Sequence, residues 1–185
     1  MDFYEAVKKR ISIRKYTSRK VPEDVLNRVL EAARWAPSWA NKQCCRYIIV
    51  DDPLIMPNIV TGLAKSFDAP MFIVACADPA DSGHKNGMDY YLVDVAISLE
   101  HLVLAAASEG LGTCWLGGMI DEASVKQRLN IPDNMKVVAI TPLGYPEEGF
   151  LKGLMGDVIR NRVHGDSRKP LEEIAFKNKY GERLK

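Results

Sequence analysis

The chain has 185 residues, 47% of them hydrophobic, enough to bury one substantial core, so a single domain over 1–185 is expected. Lys plus Arg number 25 and Asp plus Glu 24; the net charge of +1 gives no general pull toward nucleic acid or an anionic membrane, and any site for a polyanion must be local. Met1-Asp2-Phe3-Tyr4-Glu5 lacks the basic-then-apolar order of a signal peptide, and no apolar run reaches the ~18 residues of a membrane span. Cys44, Cys45, Cys76 and Cys114 show neither C-x-x-C spacing nor a paired histidine motif, so a cytoplasmic protein without a disulfide frame or zinc site is expected.

A short amphipathic run, Asp2 to Lys9, leads into Arg10-Ile11-Ser12-Ile13-Arg14-Lys15-Tyr16. If this segment is extended, Arg10, Ser12 and Arg14 point one way and Ile11 and Ile13 the other. The polar side then offers two guanidinium forks and a hydroxyl, a donor set suited to the oxygens of a phosphate. A solvated basic surface is the competing reading. Pro22 to Ala36 reads as a helix, with Glu23 and Asp24 at its positive end and Val25, Leu26, Val29, Leu30 and Ala33 at helical spacing. Pro37-Ser38 stops it. Trp39-Ala40-Asn41-Lys42-Gln43 follows as a polar loop before a strand at Tyr47–Val50. Its carboxamides can read the carbonyl and N–H edge of a planar heterocycle or simply close the turn.

Adjacent Cys44 and Cys45 are either a redox pair or two semi-buried thiols. Leu54 to Ala64 is expected as a helix, Met71–Ala77 as a buried strand, and Asp81 to Asn86 as a mobile loop. Tyr90 to Ser108 is the long helix, closed by Gly110. Its apolar residues cover nearly every side, which suggests a subunit interface; Asp94, Glu100 and His101 interrupt it. His101 reads as a core or interface histidine, since no nucleophile motif accompanies it. Gly110 to Met119 suggests a strand entering a turn at Gly117-Gly118, where backbone N–H groups can approach a ligand. It is not a G-x-G-x-x-G fingerprint, because Trp115 occupies the third glycine's place. Asp121 opens a short helix to Leu129, and Lys136 to Pro146 supplies the last strand and a turn. Glu147 to Pro170 carries Lys152, Arg160, Arg162, Arg168 and Lys169 among scattered apolar residues and is expected to be a lid or ligand loop with a helical piece. The tail, Leu171 to Lys185, is expected to dock on a partner subunit.

Five of these segments together resemble the nitroreductase family of flavoproteins: Arg10 to Tyr16, Ala36-Pro37-Ser38-Trp39-Ala40-Asn41-Lys42-Gln43, Gly112 to Gly118, Leu143-Gly144-Tyr145-Pro146, and Arg168 to Glu173. The resemblance implies an α+β fold with a mainly antiparallel central sheet flanked by helices, an intertwined homodimer, and FMN at the subunit interface. On it, Arg10, Ser12 and Arg14 take the FMN phosphate and ribityl chain, Asn41 with Gln43 nearby addresses the pyrimidine edge, and Leu116, Gly117 and Gly118 place backbone N–H groups by the reactive N5. Arg168, with Lys169, would complete the phosphate clamp. Two departures stand out: Cys44-Cys45 where many members have Pro-Trp, and Asp166 where many carry a base.

The activity implied is ping-pong hydride transfer from NADH or NADPH through the flavin to an electron-poor acceptor such as a nitroaromatic or quinone. No catalytic side chain or metal is needed, because the flavin carries the chemistry. Two alternatives stay open: an offshoot using flavin for dehalogenation or flavin breakdown, and a non-catalytic flavin- or phosphate-binding module.

Overall fold

A computed structural model describes residues 1–147 and 168–183, which fall into two compact units, Met1–Glu147 and Glu148–Lys185. The expected basic lid between Glu147 and Pro170, including Asp166, lies almost wholly outside the described residues.

In the first unit, helix α1 (Phe3–Lys9) starts where the Asp2 carboxylate accepts the Glu5 N–H at 2.9 Å. Helix α2 (Glu23–Arg34) carries Glu23 and Asp24 in its first turn and buries Val25, Val29 and Ala33 along one stripe. Four strands form an antiparallel sheet in the order β1 (Cys45–Val50), β2 (Met71–Ala77), β6 (Lys136–Gly144), β5 (Gly112–Thr113). Strand β2 is buried on both sides, and its alternation divides the core in two. Phe72, Val74 and Cys76 join Ile13, Tyr16, Leu116, Val125 and Ile140 on one face. Met71, Ile73, Ala75 and Ala77 meet α2 and the long helix α3 (Tyr90–Ser108) on the other. By length and composition α3 could cross a bilayer. Here Val95, Leu99, Leu102 and Ala106 pack it into the core, while Leu92 is left exposed on its outer side.

Two stretches differ from expectation. Leu54–Ala64 is not one helix: it breaks into 3-10 turns at Met56–Asn58 and Gly62–Ser66. Pro57 supplies no N–H to a continuing helix, and Gly62 takes a left-handed φ of +57°. The expected mobile loop at Asp81 to Asn86 is an ordered hairpin of β3 (His84–Lys85) and β4 (Met88–Asp89). Asn86 and Gly87, both with positive φ, make the two-residue turn that matches the twist of paired strands. Asp121 caps helix α4 (Glu122–Leu129) by accepting the Ala123 and Ser124 N–H groups.

In the second unit, Leu171–Ile174 form a short helix α5 and Phe176 packs on Tyr180.

Candidate functional site

The segment Arg10 to Tyr16 is extended and fixed along the outer edge of the sheet. Ile13 N–H donates to the Thr113 carbonyl at 2.8 Å, Thr17 N–H to Tyr145 at 2.9 Å, and the buried Tyr16 hydroxyl to the Ile13 carbonyl at 2.6 Å. Gly112 makes the approach possible, since a Cβ there would stand 2.6 Å from Ile13. The expected alternation holds: Ile13 is buried and Ile11 packs against the core, while Arg10, Ser12 and Arg14 are half-buried on the polar side.

Those three side chains converge on the buried Cys114 thiol. Burial raises its pKa, and Arg14, Ser12 and Arg10 each pull it back down. Arg14 donates to the Ser12 carbonyl at 3.3 Å. Neither Arg10 nor Arg14 forms an ion pair among the described residues, although the Arg10 charge is felt by the Glu100 carboxylate, whose pKa burial raises and Arg10 draws back down; two half-buried guanidinium groups thus flank a hydroxyl. That arrangement suits an anion.

Further along the same edge lies the glycine turn. Leu116 exchanges both backbone hydrogen bonds with Ile140, at 2.9 and 3.0 Å, and its side chain is in the core. Its N–H is therefore committed within the sheet, and the donors the turn has to offer are those of the two glycines. The N–H groups of Gly117 and Gly118 have no hydrogen-bond partner among the described residues, and a Cβ at Gly118 would meet open space. Ser12 pairs with Thr113, which faces Leu143, whereas Leu116 pairs with Ile140. Three strand steps, ~10 Å, thus separate the Ser12 row from Leu116, and Gly117 and Gly118 follow directly after it.

Asn41 and Gln43 occupy a different corner. Their loop is exposed and tightly coiled, with Ala40, Asn41 and Gln43 all left-handed at φ of 47°, 56° and 55°. Only asparagine adopts that region readily, so the loop holds strain. Gln43 N–H donates to Ser38 Oγ at 2.9 Å and its carboxamide to the Asn41 carbonyl at 3.3 Å, closing the loop on itself. The Asn41 carboxamide has no partner among the described residues. Cys45, two residues on, pairs with Ala77, which faces Lys136 at the start of β6. The Arg10–Arg14 segment lies beside Leu143, seven steps later and four strand spacings across. At ~3.3 Å per step and ~4.8 Å per strand, the two corners are on the order of 30 Å apart, at opposite ends of the sheet's diagonal. The Arg-Ser-Arg group and Gly117-Gly118 come together within one chain; the carboxamides do not join them.

Arg168 and Lys169 are exposed residues of the second unit. His101 is half-buried and borders a groove with Phe3, Trp35 and Leu104. All four cysteines are free thiols. Burial pushes Cys44 up to about 12 and Cys76 up to about 11, and raises Cys45 as well; this argues for neutral packing thiols rather than a poised redox pair. Sequence reasoning noted Asp94 only as an interruption of α3. It is 2% exposed and receives hydrogen bonds from three separate segments. An acid in the first turns of an otherwise apolar helix was the available signal.

Among the described residues there is no cluster of metal-ligating side chains. The arrangement is one of binding groups: paired cations and a hydroxyl, two open backbone N–H groups, and a carboxamide loop. Residues 2–184 match the family model described as "Putative TM nitroreductase", and the chain belongs to this nitroreductase family. A curated sequence from Methanothermobacter thermautotrophicus, named "Putative NADH dehydrogenase/NAD(P)H nitroreductase", is 33% identical over 80% of this chain and 79% of its own length. A nitroreductase family protein from Clostridium novyi NT superposes with a TM-score of 0.76 at 35% identity, covering 100% of this chain and 97% of that one. An "FMN-dependent Nitroreductase" from Clostridium difficile R20291 gives 0.68 at 29% identity, covering 77% and 87%.

Proposed function

We propose that the protein is an FMN-dependent oxidoreductase that takes hydride from NADH or NADPH and delivers it to an electron-poor acceptor such as a nitroaromatic or quinone. The observation that carries this reading is the placement of the Arg10–Ser12–Arg14 group on the same sheet edge as the open N–H groups of Gly117 and Gly118, whose turn follows Leu116, ~10 Å along from the Ser12 row. An extended ribityl phosphate, about seven bonds long, can run along that edge from the arginines toward the turn.

FMN, when bound, would supply an N5 that accepts hydride from the nicotinamide and returns it to an acceptor entering after the nicotinamide has left. Arg10 and Arg14 would neutralise the phosphate, and Ser12 would donate to it. Gly117 and Gly118 would aim N–H dipoles at the ring as negative charge builds there. The chain would bind, orient and screen from water. Arg168 and Lys169 would add positive charge to the phosphate.

Asn41 and Gln43 would reach the pyrimidine edge from a second copy of the chain. A flavin mononucleotide is shorter than the ~30 Å diagonal between the corners. A homodimer with two composite sites is the assembly that satisfies both corners. Exposed Phe3, Tyr4 and Val7 on α1, Trp35 after α2 and Leu92 on α3 offer apolar surface for such an interface, and the Leu171–Lys185 tail would dock on the partner.

The test is an anaerobic visible spectrum of the purified protein before and after each nicotinamide. A yellow protein bleached by NADH or NADPH and recoloured by a quinone or nitroaromatic is the expected result. Colourless protein that fails to take up FMN refutes the flavin reading. Colour that neither nicotinamide bleaches favours a storage module. Bleaching without turnover of either acceptor favours the dehalogenating or flavin-degrading alternative.

A further inference from the structure

The loop that carries Asn41 and Gln43 is strained and exposed, yet its two flanks are tied to one buried carboxylate. Asp94, on the first third of α3, accepts the Trp39 N–H at 2.8 Å through one oxygen. Its other oxygen accepts the Cys44 thiol at 3.4 Å and the Ser82 hydroxyl at 2.7 Å. Trp39 enters the loop and Cys44 leaves it, so the carboxylate grips both ends while Ala40 to Gln43 remain in solvent. Ser82 brings in a third segment. Lys42 donates to the Ser82 carbonyl at 3.1 Å, and the Trp39 ring lies 4.1 Å from that of Tyr90, centroid to centroid. Gly83 completes the seat: a Cβ there would stand 2.4 Å from the Trp39 indole.

A carboxylate only accepts hydrogen bonds, and here every neighbour is a donor: a backbone N–H, a thiol and a hydroxyl. A carboxamide would have to turn an NH2 toward one of them. An unfavourable backbone conformation persists when its surroundings over-determine it, and this clamp does so for the left-handed Ala40, Asn41 and Gln43.

We propose that Asp94 is a positioning residue: through Trp39, Cys44 and Ser82 it holds the 38–44 loop so that Asn41 and Gln43 are presented to a flavin they contact and it does not. The flavin part of this statement rests on the function proposed above; the clamp itself does not. Because Ser82 and Gly83 belong to the turn before the β3–β4 hairpin, the conformation of that turn is coupled to the carboxamides.

The experiment has an arm without cofactor and an arm with it. In the apo protein, amide hydrogen exchange at Trp39 should be about ten- to hundredfold faster in Asp94→Asn than in wild type, with Val74 in β2 little changed. In the second arm, the FMN dissociation constant should rise about tenfold in Asp94→Asn but less than about threefold when the same change is made in Asn41→Ala, because its effect is transmitted through that loop. Gly83→Ala, which disturbs the Trp39 seat without touching the carboxylate, should repeat both results if Asp94→Asn folds poorly. Unchanged Trp39 exchange in both variants overturns the clamp. An equal loss of FMN affinity in the wild-type and Asn41→Ala backgrounds overturns the positioning role. If wild type takes up no FMN, the proposed function fails, and the exchange arm still decides the clamp.

Discussion

Replacing Arg14 by alanine isolates what the edge segment contributes to binding. The side chain is half-buried, makes no ion pair among the described residues, and has one long contact, 3.3 Å to the Ser12 carbonyl. Its removal therefore takes little from the fold: Ile13 N–H to Thr113, Thr17 N–H to Tyr145 and the Ile13–Gly112 packing all remain. What is lost is one charge-assisted contact to the phosphate, worth about 1.5–3 kcal/mol, or roughly a ten- to 150-fold rise in the FMN dissociation constant. Arg14→Lys keeps the charge and loses the planar fork, so it should fall between. The assay is fluorescence titration of FMN at two ionic strengths, with apo-protein urea midpoints as the control for folding. Unchanged affinity in Arg14→Ala with an unchanged midpoint removes Arg14 from the site.

Other outcomes follow from the same geometry. Gly112→Ala pushes a methyl to 2.6 Å from Ile13 and should cost about 1–3 kcal/mol of stability by overpacking, read as a lower urea midpoint. Co-expressed Arg14→Ala and Asn41→Ala chains should regain about half of the wild-type FMN sites in the mixed dimer, because one of its two composite sites then has both intact residues; no recovery means that one chain supplies both. Folded Cys44 and Cys76 are raised to about 12 and about 11, above their ordinary value of 9, so between pH 9 and 11 the native state binds more protons than the unfolded chain. Their contribution is whole below pH 9 and is lost as pH rises, at up to ~1.4 kcal/mol per pH unit per thiol. Urea midpoints that do not fall from pH 8.5 to pH 10.5 would contradict this.

Much of the architecture was legible because the strongest signals are local. Met71–Ala77 and Tyr90–Ser108 coincide with their sequence-derived ranges; a short apolar run between Pro70 and Asp78-Pro79 and a long one closed by Gly110 leave little choice. Leu54–Ala64 misled because its apolar periodicity is real, but Pro57 and Gly62 override it. The Asn86-Gly87 pair was a hairpin signal hidden by a polar neighbourhood. At the site, alternation alone put Arg10, Ser12 and Arg14 on one side. The separation of Asn41 from that group was beyond reach, since it depends on which edges of the sheet β1 and β5 occupy. Asp94 was hidden for a related reason: its three donors lie 55, 50 and 12 residues away in sequence.

The two-cornered layout also changes how the cofactor would respond to protein concentration. If each pigment molecule is gripped at its tail by one polypeptide and at its head by another, dilution that parts the pair must loosen both grips together. Colour would then fade with the square of subunit concentration rather than in simple proportion, and a lone subunit would keep only a weak hold on the tail.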